Sequence, residues 1–245
     1  MEYTFEDFKN RANSKNLSKN EKIGFPDSYR IEKDKHILED ISFKLNLFKS
    51  KSFLDIGCGC SDLVVHIIKN CIKRKSKIHL IDSEEMLSQI STELLVNDLV
   101  NTFPGSFPKI SKKLKIKYDS ILVYSVIQYS FAHDNFYNFI HSCLDLLNPG
   151  GRLLIGDIPN FQSRERFLNS NSGNDFKKSF DNKNFDFKIV HNDRERIDDS
   201  VVMSVLSRFR TFGYETYLMP QNEILPFANR REDILIIKRI LKIKN

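Results

Sequence analysis

One short segment, residues 53–62, constrains the fold of this chain more than any other. Its apolar start is typical of a buried strand, and two glycines follow at alternate positions, Gly57 and Gly59. Glycine adopts positive φ angles and lets a ligand approach the backbone closely. A helical pattern begins at Asp62, so the first N–H groups of that helix face the loop. A strand, a glycine loop and a helix in this order predict a ligand-binding turn at one edge of a sheet.

Strand and helix patterns alternate from this segment onward. Alternation of this kind predicts an α/β fold with a mostly parallel sheet covered by helices on both faces. The last two strand patterns predict an antiparallel pair. The expected strands are 52–56, 77–81, 99–103, 119–124, 152–156, 214–219 and 233–239, and the expected helices are 62–73, 84–96, 135–147 and 201–212.

Two regions flank or interrupt this alternation. Residues 1–48 predict one or two short helices, a turn near Gly24 and a longer helix over 31–48, which together form an N-terminal cap. Residues 148–151 predict a tight turn. Residues 158–200 have no clear period, and we interpret them as a long insertion over the sheet edge or a mobile lid.

Composition limits the class of protein further. The 245 residues are 40% hydrophobic, which is enough for a core and excludes disorder throughout. No signal peptide and no membrane-spanning run is present, and the four cysteines match neither a metal pattern nor a disulfide framework. We therefore expect a cytoplasmic protein without a metal site. Most of the net charge of +6 falls in residues 161–245, which carry 16 basic and 12 acidic side chains.

The acidic residues around the loop indicate the kind of ligand. Asp55 precedes the first glycine, and Asp82 lies 82 − 61 = 21 residues beyond the end of the loop, the interval expected for a carboxylate that binds ribose hydroxyls. Asp62 stands where a dinucleotide site has its third glycine, and a carboxylate there would repel a pyrophosphate. The pattern favours a nucleoside ligand without phosphate, such as S-adenosylmethionine, and argues against a nicotinamide dehydrogenase.

At these residues the sequence resembles the class I S-adenosylmethionine-dependent methyltransferases. The resemblance covers residues 50–157 strongly and 201–240 weakly. The motifs that carry it are Asp55-x-Gly57-x-Gly59-x-Ser61, the ribose acid Asp82, the fourth-strand segment 119–125, the turn 146–153 and the terminal strand pair around 212–214 and 231–236.

This resemblance implies a Rossmann-like, seven-stranded sheet with an antiparallel last strand, and one methyltransferase domain over 1–245. Within that domain it implies the N-terminal helical cap at 1–48, a cofactor-binding core at 50–157, an acceptor-side insertion at 158–200 and a C-terminal helix and strand pair at 201–245. It also implies S-adenosyl-L-methionine as cofactor, S-adenosyl-L-homocysteine as product, and a set of cofactor-binding residues. These are Asp55, Gly57, Cys58, Gly59, Asp82, Ser83, Met86, Ser106, Phe107, Tyr124 and Ser125, with Tyr29 and Arg30 as candidates to close over the methionine carboxylate. For Met86 a plain core role is an equal alternative, and Cys58 fits a small loop residue better than a reactive thiol.

The acceptor side offers fewer signals. A hydroxyl or a protonated amine acceptor needs a base, and His133 is the first candidate because it titrates near neutrality and follows the fourth strand. Its alternative is an exposed residue capping the next helix. Asp157, at the end of the fifth strand, is a second candidate that could orient an acceptor or a histidine; His191 is weaker. Tyr129 is a candidate acceptor contact. The absence of an Asn/Asp-Pro-Pro-Tyr/Phe motif after the fourth strand favours O- over N-methylation.

Four arginines fall in the insertion, Arg164, Arg166, Arg194 and Arg196. Arginine binds phosphate and carboxylate groups in a bidentate way. We therefore expect a small anionic acceptor, such as a phosphorylated or nucleotide-activated sugar or a surface-polysaccharide precursor. The alternative is a solvated loop whose arginines are balanced by nearby acids.

Two other functions stay open at this point. The basic excess allows a nucleic-acid methyltransferase, although no RNA-binding module or aromatic-interleaved basic stripe supports it. A protein that binds S-adenosylmethionine without catalysing methyl transfer is the second. No membrane partner is expected.

Overall fold

A computed structural model describes residues 3–181 and 196–240 of the chain. The described strands are β1 (Ser52–Ile56), β2 (Lys77–Asp82), β3 (Val100–Pro104), β4 (Tyr118–Tyr124), β5 (Leu147–Pro159), β6 (Glu215–Met219) and β7 (Arg231–Ile237). They form one sheet in the order β3-β2-β1-β4-β5-β7-β6. Strands β1 to β5 pair in parallel, whereas β7 is antiparallel to both β5 and β6. The predicted Rossmann-like fold with its antiparallel last strand is confirmed.

Helices cover both faces of this sheet. Their bounds are α1 (Phe5–Asn13), α2 (Lys19–Lys22), α3 (Asp27–Arg30), α4 (Asp34–Leu45), α5 (Asp62–Lys73), α6 (Glu84–Leu87), α7 (Thr92–Leu95), α8 (Ile127–His133), α9 (Phe136–Asp145), α10 (Phe161–Leu168), α11 (Asn171–Asp181) and α12 (Asp199–Thr211). Among the described residues, no helix combines the length and the apolar character needed to cross a bilayer.

Alternate residues of β1 show how the two layers are built. Phe53 is fully buried in a cluster with residues of α4 and α5, whereas Leu54 is fully buried in a second cluster with residues of α9 and α12. Successive side chains of a strand point to opposite faces of a sheet, so each residue anchors a different helical layer. The central strands are apolar on both sides for this reason.

The carboxyl ends of the parallel strands meet at one edge of the sheet, which we call the carboxyl edge. β1 ends there at Ile56, β2 at Asp82 and β4 at Tyr124. Because β7 is antiparallel, it begins at this edge, and Arg231 pairs with Pro159 at the end of β5. Residues from the start of the last strand therefore join residues from the ends of the others.

Several predicted boundaries need correction. The helix expected over 84–96 is two short helices, α6 and α7, because the backbone of Ser91 is extended (φ −55°, ψ 127°) and starts a new turn. The turn expected at 148–151 lies within β5, where a shift in the β4–β5 register accommodates the extra residues. The helix α8 was not expected.

The insertion also contains more structure than its sequence suggested. The side-chain oxygen of Asn160 accepts hydrogen bonds from the backbone of Gln162 (2.9 Å) and Ser163 (3.1 Å) and so starts α10. The following helix, α11, ends at Asp181. The described chain then resumes at Arg196, ahead of α12.

Candidate functional site

The glycine loop after β1 is tightly enclosed. Gly57 and Gly59 have φ angles of +74° and +64°, in the left-handed region that favours glycine. An added Cβ at Gly57 would lie 2.5 Å from Cγ2 of Val126, and one at Gly59 would lie 2.7 Å from Cγ2 of Ile23. Neither position has room for a side chain, so both positions require glycine.

Two carboxylates stand beside this loop, the buried Asp55 and the half-buried Asp82. Asp82 accepts hydrogen bonds from the backbone N–H groups of Gly59 (2.8 Å) and Ser83 (2.7 Å). Burial raises the pKa of Asp82 to about 6, although these two N–H groups oppose the shift. Burial, and then the nearby charge of Asp82, raise the pKa of Asp55 to about 8. A positively charged ligand would favour the ionised form of both groups.

A cavity opens at the carboxyl edge over the loop, and we call it the cofactor cavity after the predicted cofactor residues in its lining. Its lining holds every predicted cofactor residue except Ser83 and Tyr29. The lining residues from the prediction are Arg30, Asp55, Gly57, Cys58, Gly59, Asp82, Met86, Ser106, Phe107, Tyr124 and Ser125. Ser83 instead starts α6, where its hydroxyl accepts a hydrogen bond from the N–H of Met86 at 3.2 Å.

The N-terminal helices contribute a wall that sequence reasoning did not assign. Phe5, Phe8, Ile23 and Phe25 line the cofactor cavity. The ring of Phe8 packs edge-on against Tyr129, with 5.0 Å between the ring centres. The aromatic residues scattered through the polar N-terminal segment are the signal in the sequence that could have indicated this wall.

Arg30 is a buried cation inside the cofactor cavity. Its side chain is 3% exposed and stacks on Phe25, 4.2 Å from the ring centre. Its Nη2 donates to Oγ of Ser125 at 3.3 Å. Within the described part of the chain, Nε and Nη1 have no hydrogen-bond partner. Because buried donors are normally satisfied, these two fit an anionic group of a ligand, such as the methionine carboxylate.

Ser125 and Asp157 occupy strained backbone conformations next to Arg30. Their φ angles are 59° and 57°, which are uncommon for residues other than glycine. Oγ of Ser125 donates to Oδ2 of Asp157, and Nη1 of Arg231 donates to the same oxygen at 2.7 Å. Oδ2 of Asp157 lies 4.0 Å from Nη2 of Arg30. Asp157 lines neither the cofactor cavity nor the second cavity described next. Its carboxylate therefore ties two arginines together.

A second cavity lies on the other side of these arginines, and we call it the acceptor cavity after the predicted acceptor residues in its wall. The described insertion contributes two of them, Arg164 and Arg196. Arg166 is elsewhere: it is exposed and pairs with Asp199 at 2.5 Å. The remaining candidates, Arg194 and His191, lie outside the described residues.

Sequence reasoning missed two further arginines of this cavity, Arg230 and Arg231. Arg230 is half-buried, and its guanidinium lies over the rings of Phe176 (4.8 Å) and Phe227 (4.9 Å). Burial lowers the pKa of Arg230; the charges of Arg231 and Arg164 lower it further, against an opposing contribution from Tyr29. Among the described residues, no carboxylate forms an ion pair with Arg230. Its charge is thus left for a ligand.

The two cavities share a wall. Tyr29 lines the acceptor cavity and the next residue, Arg30, lines the cofactor cavity. Gln128 and Tyr129 are divided in the same way. Nε2 of Gln128 donates to the carbonyl of Ser125 at 2.8 Å, while its buried Oε1 has no hydrogen-bond partner in the described chain. An acceptor bound among the arginines would therefore lie next to the cofactor cavity.

The remaining candidates lie on the cofactor side. His133 is the last residue of α8 and, like Tyr129, lines the cofactor cavity but not the acceptor cavity. Burial raises the pKa of Cys58, and that of Cys60 to about 11, so both favour the neutral thiol. In the described chain no group of histidine, cysteine and acidic side chains could hold a metal ion.

Residues 54–153 match a family model described as a methyltransferase domain. No curated protein sequence matches the chain.

Many solved structures share the fold. The plantazolicin methyltransferase BamL, in complex with a triazolic desmethylPZN analog and SAH, is 16% identical and has a TM-score of 0.61, covering 96% of this chain and 98% of its own. The plantazolicin methyltransferase BpumL in complex with SAH is 16% identical and has a TM-score of 0.58, and it also covers 96% of this chain and 98% of its own. The methyltransferase domain of bacterial CtHen1-C is 16% identical and has a TM-score of 0.54, covering 85% of this chain and 98% of its own.

Proposed function

The chain is a class I S-adenosylmethionine-dependent methyltransferase, and on that premise we propose that it methylates an oxygen atom of a small anionic acceptor. The cofactor supplies a methyl group on a sulfonium. The observation that carries the proposal is the acceptor cavity, whose wall holds Arg164, Arg196, Arg230 and Arg231 beside the cofactor cavity.

On the cofactor side, we assign three binding roles. Asp82 binds the ribose hydroxyls, because a carboxylate has lone pairs to spare beyond its two backbone bonds. Asp55 faces the positive end of the methionine moiety. Arg30 binds the methionine carboxylate through Nε and Nη1, which are buried and have no hydrogen-bond partner in the described chain.

Asp157 has a positioning role in this proposal rather than the catalytic role that its place on β5 suggested. Its carboxylate accepts from Ser125, Arg231 and Gln221, so it holds the wall between the cavities in place. Arg166 is not part of the acceptor site, because it pairs with Asp199 on the surface.

A panel of small acids and their neutral analogues, with detection of S-adenosylhomocysteine, tests the proposal. Loss of a charge-assisted hydrogen bond costs about 1.5–3 kcal/mol, so Arg230→Gln should raise KM for an anionic acceptor roughly 10- to 100-fold. The matched control is Arg208→Gln, an exposed arginine stacked on Tyr137 (4.5 Å) away from both cavities. The control should leave KM unchanged.

Three results would contradict the proposal. Equal turnover of acids and neutral analogues would remove the role of the arginines. Methylation of RNA, with an affinity that falls steeply with salt, would point to a nucleic-acid acceptor. Tight cofactor binding without turnover of any acceptor would indicate a binding protein.

A further inference from the structure

The acceptor cavity is unusual in the chemistry that its wall lacks. Its described lining contains four guanidinium groups and one phenol as ionisable groups, and it contains no carboxylate, imidazole, thiol or amine. Neither a guanidinium nor a neutral phenol takes up a proton near neutral pH. The described part of this cavity can bind an anion, but it cannot deprotonate a hydroxyl or an ammonium group.

The two predicted bases do not supply the missing function. His133 lines only the cofactor cavity. The carboxylate of Asp157 is enclosed by Ser125, Gln221 and Arg231 and lines neither cavity. A proton taken from an acceptor in the acceptor cavity would have no described carboxylate or imidazole to receive it there.

We infer that the acceptor atom is a carboxylate oxygen, so that the product is a methyl ester; this rests on the proposed function above. A carboxylate oxygen forms a bond to the methyl carbon as the bond from that carbon to sulfur breaks. The sulfonium becomes a neutral thioether, the carboxylate becomes a neutral ester, and no proton is released. The reaction thus needs no base.

The shape and charge of the cavity fit this acceptor. Arginine presents its donors in a planar fork that matches a carboxylate. The guanidinium of Arg230 lies over the rings of Phe176 and Phe227, at 4.8 and 4.9 Å from their centres. Apolar walls remove water from a bound anion, and the cost of that desolvation is lower for a carboxylate than for a doubly charged phosphate. Product release is also favoured, because the neutral ester loses its attraction to the arginines.

The chemical test uses a cofactor labelled in the methyl group and a defined library of small molecules carrying carboxylate, phosphate, phenol or amine groups. Mild alkali hydrolyses a carboxylic methyl ester and releases the label as methanol. We expect most of the transferred label to be volatile after this treatment. Label that stays in the acids after alkali overturns the carboxylate inference and leaves the anionic acceptor intact. Transfer only to uncharged molecules, or none at all, overturns the proposed function itself.

A pH profile and a binding measurement complete the test. At saturating cofactor, kcat/KM for the methylated acid should be flat between pH 6 and 9. A tenfold rise per pH unit in that range would reveal a base, whichever residue carries it, and would contradict the inference. In the presence of S-adenosylhomocysteine, Arg230→Gln should lose calorimetric binding of the same acid, whereas Arg208→Gln should keep it.

Discussion

At the scale of a single residue, we expect Asp55 to couple cofactor binding to pH. Burial and the charge of Asp82 raise its pKa to about 8 in the protein without ligand. A cationic ligand binds the ionised form better, so binding lowers this pKa and releases protons. We expect the affinity for S-adenosylmethionine to rise from pH 6 and to level off above about pH 8, as measured by calorimetry in buffers of different ionisation enthalpy.

The isosteric variant Asp55→Asn is the control for this prediction. It should bind the cofactor more weakly and without the pH-dependent proton release. The pKa of an aspartate in the unfolded chain is near 3.8. An aspartate whose pKa is higher than this in the folded protein destabilises the fold at every pH above 3.8. The same variant should therefore stabilise the ligand-free protein at pH 7, by on the order of 1–2 kcal/mol in urea unfolding. A variant that is both weaker in binding and less stable would contradict this account.

Arg30 allows an equally specific test of the methionine carboxylate. Arg30→Gln should weaken S-adenosylmethionine binding roughly 10- to 100-fold, because a buried charge-assisted hydrogen bond is lost. Decarboxylated S-adenosylmethionine is the matched ligand, since it lacks the group that Arg30 is proposed to bind. Its affinity should change less than about threefold. Equal weakening of both ligands would show that Arg30 acts only through the packing of Phe25 and Tyr124.

At the scale of elements, a buried ion pair joins α4 to β7. Nζ of Lys44, 2% exposed, lies 2.7 Å from Oδ2 of the fully buried Asp233. Oδ1 of Asp233 accepts from the backbone of Asp157 (2.8 Å) and from Gln221 (2.9 Å). One carboxylate thus connects the N-terminal cap, the last strand and the strained end of β5.

Breaking this pair should be costly because it leaves the buried carboxylate of Asp233 without its cation, and Asp40, which also pairs with Lys44 (2.5 Å), loses the same partner. Lys44→Met should lower the free energy of unfolding by about 3–5 kcal/mol, as measured by urea titration. The double variant Lys44→Met/Asp233→Asn should recover a large part of that loss. The exposed residue for comparison is Lys49, whose change to methionine should have an effect within about 0.5 kcal/mol. A double variant no more stable than the single one would argue against the ion pair.

The elements also show what the sequence could predict. The bounds of β1 and α5 were predicted to the residue, because an apolar run, alternate glycines and a helical period leave one consistent interpretation. Arg230 and Arg231 were missed although their signal was available. An antiparallel last strand must begin at the carboxyl edge. The residues just before this strand and at its start therefore lie beside the candidate site.

Other features depend on contacts that no local pattern encodes. The pairing of Lys44 with Asp233 joins residues 189 positions apart. The division between two cavities depends on Tyr29 and Arg30 being adjacent in the chain but facing different spaces. Such placements follow from tertiary packing, which periodicity and motif spacing do not specify.

At the scale of the whole molecule, the N-terminal helices close the cofactor cavity. The polar side-chain contacts of α1 and α2 with the core lie near the surface. Lys22 donates to Gln89 at 2.9 Å, and Lys19 pairs with the exposed Asp62 at 3.1 Å. Exposed pairs of this kind contribute about 0–1 kcal/mol each. The ring of Phe8 packs against Tyr129 and lines the cofactor cavity, so a bound ligand would strengthen this apolar contact.

Phe8→Ala should separate closure from folding. The loss of a ring that lines the cofactor cavity should weaken S-adenosylhomocysteine binding by about 1–2 kcal/mol, or roughly 5- to 30-fold. The matched control is Phe43→Ala, a phenylalanine that is 77% exposed on α4 and should leave affinity unchanged. Ligand at 100 times its Kd adds about 2.7 kcal/mol of stability, so the thermal shift at fixed ligand concentration reports the same difference.

If the N-terminal helices close over the ligand, cofactor should also slow proteolysis within residues 3–25 of the native protein, and less so in Phe8→Ala. Unchanged proteolysis with bound cofactor in the native protein would show that the cavity is closed before the ligand arrives.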